Sequence, residues 1–65
     1  MKGTVKRFVG YHGYGFIIGE DEKNYFVHVS DIEDHKELNA GQKVSFEPSE
    51  NQKGLIAKKV KLEGE

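Results

Sequence analysis

Hydrophobic and polar residues alternate along much of this 65-residue chain, the pattern of a β-strand with one buried face. Five such stretches, separated by turns rich in glycine, asparagine and charged residues, predict strands at 3–9, 14–18, 25–29, 43–47 and 55–62. With little helix between them, they predict one all-β domain over residues 1–65, a small five-stranded closed antiparallel barrel. Closure would leave no exposed sheet edge.

The segments between these strands contain residues that are typical of turns and loops. Glycine at both ends of 10–13 predicts a turn, and 19–24 predicts a highly polar hairpin loop. Residues 30–38 hold few β-forming residues, so we expect one helical turn capped by Ser30 and then a loop. Pro48 should end strand four because it cannot donate to the ladder, which leaves 49–54 as a polar loop.

Strands two and three carry rings at alternate positions, because Tyr14 and Phe16 share one face and Phe26 and His28 share another. Aliphatic side chains occupy the opposite faces. Burying the aliphatic faces is favoured, because the reverse would bury His28 without a partner. We therefore expect the four rings outside the barrel, with Gly13 and Gly15 leaving the neighbouring backbone bare.

Strands one and five place charges on the faces that should be buried. In strand one, Val5 and Val9 are expected inside and Phe8 outside, which puts Arg7 on the inner face unless the strand twists or bulges, or unless Arg7 lies at the barrel rim. The predicted inner face of strand five is interrupted by a lysine and comprises Ile56, Val60 and Leu62, with Lys58 between them.

Charge is unevenly distributed, although the formal net charge is only −1. Residues 1–19 and 51–62 contain basic side chains and no acid, whereas 20–50 are strongly acidic. If the first and last strands lie beside the ring-bearing face, that face is locally positive despite the total. The alternative is that these are ordinary solvated charges.

Several function classes find no support in the sequence. There is no cysteine, and the three histidines (His12, His28 and His35) are not spaced as zinc ligands, so we expect neither a metal nor a cofactor. His28, Ser30 and Asp31 crowd too closely to form a catalytic triad, so an enzyme is not expected. No apolar run approaches the roughly 18 residues of a membrane span, and no signal peptide is evident, which predicts a cytoplasmic protein. We expect a monomer, because no second apolar face is left over once the barrel is built.

Flat rings on a rigid sheet are suited to stacking the bases of single-stranded nucleic acid, because every base has a π-face. Lys6 and Arg7 would then supply phosphate contacts. Two alternatives stay open: an aromatic face that binds a proline-rich peptide, and an RNA-binding barrel that acts in translation. A nucleic-acid site should lose affinity as salt rises.

Three motifs, in their order and spacing, resemble the cold-shock domain: Lys6-Arg7-Phe8, the run 12–17 and the run 26–32. The resemblance continues through 38–47 and Lys53-Gly54, and so covers essentially the whole chain. It implies an OB-fold barrel that binds single-stranded RNA or DNA across strands one to three, often as an RNA chaperone. The predicted nucleic-acid contacts are Lys6, Arg7, Phe8, His12, Tyr14, Phe16, Phe26, His28 and Lys53.

The chain also departs from the family pattern. Arg7 stands where members usually have tryptophan, His12 where they have lysine and Val29 where they have an aromatic residue. The loop between Ile32 and Leu38 is shorter than in the bacterial members and lacks their aromatic residue. We therefore expect weaker binding or a shorter footprint, for which Arg7, Tyr11 and His35 are candidates for partial compensation.

Overall fold

The computed structural model describes residues 1–33 and 38–63 and shows a closed barrel of five strands. They are β1 (Lys2–Val9), β2 (Tyr14–Gly19), β3 (Asn24–His28), β4 (Lys43–Asn51) and β5 (Gly54–Leu62). The order around the barrel is β1-β2-β3-β5-β4. The predicted all-β, five-stranded closed barrel is confirmed. His35 and most of the short loop between Ile32 and Leu38 lie outside the described residues.

The barrel is antiparallel as predicted except at one neighbouring pair of strands, which is parallel. β3 and β5 run in the same direction and share one ladder pair, Phe26 and Ile56, whereas the other four interfaces are antiparallel. An odd number of strands cannot alternate in direction all the way round a closed ring. Closure with five strands therefore requires at least one parallel contact.

The interior is filled by side chains from every strand. Its buried residues are Val5, Ile17, Tyr25, Val27, Ile32, Leu38, Val44, Phe46, Ala57 and Val60. The predicted inner faces of the second, third and fourth strands are thus confirmed. Tyr25 keeps its hydroxyl satisfied at the barrel end, where it donates to Asp21 Oδ2 at 2.7 Å.

β1 contains a β-bulge, and this changes the faces of its second half. The pairing of β1 with β2 shifts register between Val5 and Arg7, so Lys6 and Arg7 are both exposed. Beyond the bulge Phe8 is half-buried and packs against the core, while Val9 pairs with Tyr14. The prediction of Phe8 outside and Val9 inside is therefore wrong, because the extra residue reverses the alternation. The bulge itself was one of the expected solutions for Arg7.

β5 also contains a β-bulge. Ser45 pairs with Lys61 but Glu47 pairs with Lys58, so β5 has one residue more than β4 over this stretch. Lys59 takes a left-handed backbone conformation there, with φ of 52°. Consequently Ala57 and Val60 point inward, and Ile56 does not share their face, contrary to the sequence prediction.

Pro48 lies inside β4 rather than at its end. The strand continues to Asn51, and a turn at 52–53 joins it to β5, so the polar loop predicted for 49–54 is largely strand. Pro48 pairs with Ala57, and beyond Ser45 β4 has β5 as its partner but not β1. A strand paired on one side tolerates proline, because some of its N–H groups have no ladder partner to lose.

The short helix after β3 is a 3₁₀ turn at Val29–Asp31. Its N-cap is His28, whose side chain accepts the Ser30 N–H, so Ser30 is not the cap that was predicted. Within residues 1–33 and 38–63, no helix is long and apolar enough to cross a membrane.

Candidate nucleic-acid interface

The outer face of β2 and β3 carries four rings, which we call the ring platform: Tyr14, Phe16, Phe26 and His28. The register places Tyr14 opposite His28 and Phe16 opposite Phe26. The centroids of Tyr14 and Phe26 are 5.7 Å apart with a 21° angle between planes, and those of Phe16 and Phe26 are 5.8 Å apart at 74°. These are favourable aromatic geometries, so the rings hold one another in place.

The rings of the platform face solvent, as the alternation predicted. Phe26 is 37% exposed, whereas the core ring of Phe46 is 3% exposed. His28 is also exposed, and Tyr14 and Phe16 are half-buried by their neighbours. Between them, Ile17 and Val27 are fully buried. A flat molecule therefore has access to ring faces that folding of the barrel has not covered.

Gly15 does not contribute bare backbone to this platform, contrary to the expectation. It lies opposite Phe8 on the inner face, and a Cβ built there would sit 2.5 Å from the Arg7 carbonyl oxygen and 2.6 Å from Phe8 Cδ1. The glycine is required by close packing of β1 on β2. Gly13, by contrast, is in the preceding turn with φ of 74°, which favours glycine.

His28 is oriented by the start of the 3₁₀ helix. Its Nδ1 accepts the Ser30 N–H at 3.2 Å and lies 2.9 Å from Ser30 Oγ. A neutral imidazole that accepts at Nδ1 carries its proton on Nε2. His28 therefore offers both a ring face and an N–H donor to a ligand.

His12 lies in the turn between β1 and β2, at the end of the platform. Its ring is exposed, and its centroid is 5.9 Å from that of Tyr14 and 5.2 Å from that of Tyr11. Predicted site residue His12 is therefore brought to the platform together with Tyr11, which the sequence offered as a candidate for partial compensation.

Three basic residues border the platform. The bulge in β1 exposes Lys6 and Arg7, and Arg7 lies directly across from Phe16. Lys53, in the turn between β4 and β5, is exposed and lines a groove of about 430 Å³ that also contains Phe16 and Phe26. Phe8 is the one predicted contact that the structure moves away, since it packs against the core.

The same groove includes a residue that the alternation misassigned. Ile56 of β5 pairs with Phe26 and extends the apolar surface beyond the rings. Its outward position follows from the extra residue in β5. The two adjacent lysines, Lys58 and Lys59, between apolar Ala57 and Val60 are the signal that could have revealed it.

Two other lysines are paired with carboxylates. Lys59 lies 3.7 Å from Glu47, and Lys2 lies 3.7 Å from Glu63. In the part of the chain that the structure describes, neither Lys6, Arg7 nor Lys53 forms such an ion pair. The cations beside the platform are thus available to an anionic ligand.

Comparison with known proteins identifies the family of this chain. The model of the family described as 'Cold-shock' DNA-binding domain matches residues 1–63. A "Cold shock-like protein" of Aquifex aeolicus is 49% identical over all of this chain and 97% of its own length. "Cold shock protein 1" of Lactiplantibacillus plantarum is 47% identical over 89% of this chain and 91% of its own, and a "Cold shock-like protein" of Thermotoga maritima is 44% identical over 95% and 97%. The chain belongs to the cold-shock domain family and is a nucleic-acid-binding protein of the cold-shock type.

Proposed function

We propose that this protein binds single-stranded RNA or DNA by stacking bases on the ring platform, and that it acts as an RNA chaperone. The observation that carries the proposal is the grouping of Tyr14, Phe16 and Phe26 on one outer face, with centroids 5.7 to 6.3 Å apart. A face of this kind accepts any base, which suits a protein that keeps many RNAs unpaired.

The free energy available from stacking is large enough for micromolar binding. Each stacked base contributes about 1–3 kcal/mol, so four rings offer on the order of 4–12 kcal/mol before the costs of association and of ordering the strand. Micromolar affinity corresponds to about 8 kcal/mol. The platform can therefore hold a strand without a strongly basic protein.

The basic residues are proposed to guide the backbone. Lys6 and Lys53 would contact phosphates from opposite sides of the platform, and Arg7 would either do the same or stack its guanidinium on a base. His12 is proposed as a contact at the turn, and Phe8 supports the face from the core side. One copy supplies every group, so we propose a monomer as the binding unit, acting in the cytoplasm.

The proposal is tested by NMR titration of the protein with a pyrimidine-rich heptamer, with the same sequence as a duplex for control. We expect shifts concentrated at the four rings and much weaker binding to the duplex, whose bases are already stacked. Phe16→Ala and Phe26→Ala should each weaken binding by roughly fivefold or more, the lower end for one stacked base. Lys59→Ala is the matched surface control and should bind like the wild type.

Equal affinity for the duplex would contradict the proposal. A proline-rich peptide that shifts the same rings, with no binding of the heptamer, would assign the platform to peptide recognition instead.

A further inference from the structure

Tyr11 is the most exposed large hydrophobic residue among those the structure describes, at 90% of its full accessible surface. Because so little of the ring is buried, it contributes almost nothing to the hydrophobic core. The ring is nonetheless ordered against a neighbour, because it stacks on His12 with centroids 5.2 Å apart and planes within 15° of parallel.

The turn that carries the pair is fixed by its backbone. Val9 O accepts the N–H groups of His12 and Gly13 at 3.0 and 2.9 Å. Gly13 O in turn accepts the Val29 N–H at 2.8 Å, which ties the turn to the end of β3. The backbone beneath the two rings is therefore held in place, so that stacking of a ligand would have to order only the side chains.

The pair continues the ring platform rather than standing apart from it. His12 is 5.9 Å from Tyr14, and Tyr14 is stacked with Phe26 at 5.7 Å, so Tyr11, His12, Tyr14 and Phe26 form one uninterrupted row of rings. His12 lies beside one face of Tyr11 in an offset stack, with ring centroids 5.2 Å apart. The opposite face is open to solvent at the end of the row.

We propose that Tyr11, supported by His12, is an additional base-stacking position that lengthens the bound strand by one nucleotide at this end of the platform. The inference rests on the proposed function and adds a ligand position to it. A nucleobase is the occupant that fits, because the position is a single exposed ring at the end of a row of other rings. The ring offers no sequence readout, so this position should accept any base.

The experiment measures affinity for single-stranded oligothymidylates of increasing length, from about four to about eight nucleotides. Wild-type affinity should rise with length and then level off. For Tyr11→Ala the rise should stop one nucleotide earlier, with at least about a fivefold loss at the plateau and no loss for the shortest oligomer. Thermal unfolding should be unchanged, since the ring is exposed.

Two conservative variants separate stacking from simple apolar contact. Tyr11→Phe keeps the ring and should bind like the wild type, whereas Tyr11→Leu keeps apolar area without a π-face and should behave like Tyr11→Ala. An unchanged length dependence for Tyr11→Ala, or full affinity for Tyr11→Leu, would overturn the inference. Phe16→Ala distinguishes the two proposals: it should lose affinity at every length, and if it does not, the platform itself is wrong.

Discussion

Adjacent residues in β2 perform different tasks because they face opposite sides of one sheet. Gly15 faces the interior, where the backbone and ring of Phe8 leave no room for a Cβ. Phe16 faces solvent beside Phe26 and Arg7. Packing therefore determines the residue at position 15, whereas Phe16 is available to contact a ligand. In the sequence the two residues belong to one motif.

Gly15→Ala should accordingly destabilise the fold more than Phe16→Ala does. The added Cβ would meet the Arg7 carbonyl oxygen at 2.5 Å, and this atom belongs to the backbone, so β1 must move. Overpacking of this kind costs about 1–3 kcal/mol of unfolding free energy. Urea denaturation of the two variants measures the difference. A larger loss for Phe16→Ala would mean that its ring, not the glycine, holds the barrel together.

At the scale of elements, alternation predicted β2 and β3 and the inner face of β4 but failed in parts of β1 and β5. Both failures have the same cause, an extra residue that reverses the faces beyond it. Both also share a local sequence, two adjacent cations between apolar residues: Val5-Lys6-Arg7-Phe8 and Ala57-Lys58-Lys59-Val60. A strand without a bulge would bury one cation of each pair, which is costly.

The ring platform was predictable because β2 and β3 contain no such irregularity. The groove at Ile56 was not, because it depends on which strand closes the barrel against β3 and on the parallel direction of that contact. Pairing between strands distant in sequence is not encoded in local alternation. Likewise, the stacking of Tyr11 on His12 depends on side-chain orientation in a turn, for which a spacing rule gives no information.

The hairpin between β2 and β3 has a pH-dependent contact at its tip. The Tyr25 hydroxyl donates to Asp21, which lowers the pKa of that carboxyl below its ordinary 3.8, and the bond in turn raises the pKa of Tyr25. A lowered carboxyl pKa stabilises the folded state above the ordinary pKa and loses this contribution as pH falls through the lowered value. The raised tyrosine pKa stabilises below its ordinary value, and the contribution is lost as pH rises through the raised one.

Tyr25→Phe should therefore raise the pKa of Asp21, because the largest influence that lowers it is removed. The stability difference between variant and wild type should be present near neutral pH and disappear once Asp21 is protonated. Titration of the Asp21 carboxyl carbon by NMR measures the first effect, and urea denaturation at a series of pH values the second. Tyr14→Phe is the matched control, since it removes a hydroxyl from the platform and should leave the Asp21 pKa unchanged.

At the scale of the whole molecule, the net charge is a poor guide to the ligand. Closure of the barrel brings basic residues from distant parts of the chain close to the rings. The chain carries −1 overall, yet the residues that closure brings round the rings include Lys6 and Arg7 from β1 and Lys53 from the turn before β5. The acidic tip of the β2–β3 hairpin projects from one end of the barrel. An anionic strand would thus meet a locally favourable field.

This distribution of charge predicts that binding affinity falls modestly with salt, and that the dependence can be attributed to individual basic residues. For single strands the slope of log affinity against log salt is about −0.7 for each phosphate neutralised, so three contacts give about −2. Arg7→Ala should reduce the steepness by about 0.7, because Arg7 is paired with Phe16 across the two strands and has no acidic partner among the described residues. Lys59→Ala removes a cation of equal charge that is paired with Glu47, and it should leave the slope unchanged. Binding isotherms of an oligothymidylate at several salt concentrations measure both slopes. If the two variants flatten the slope equally, the strand senses only total charge, and the placement of Arg7 beside the rings has no bearing on binding.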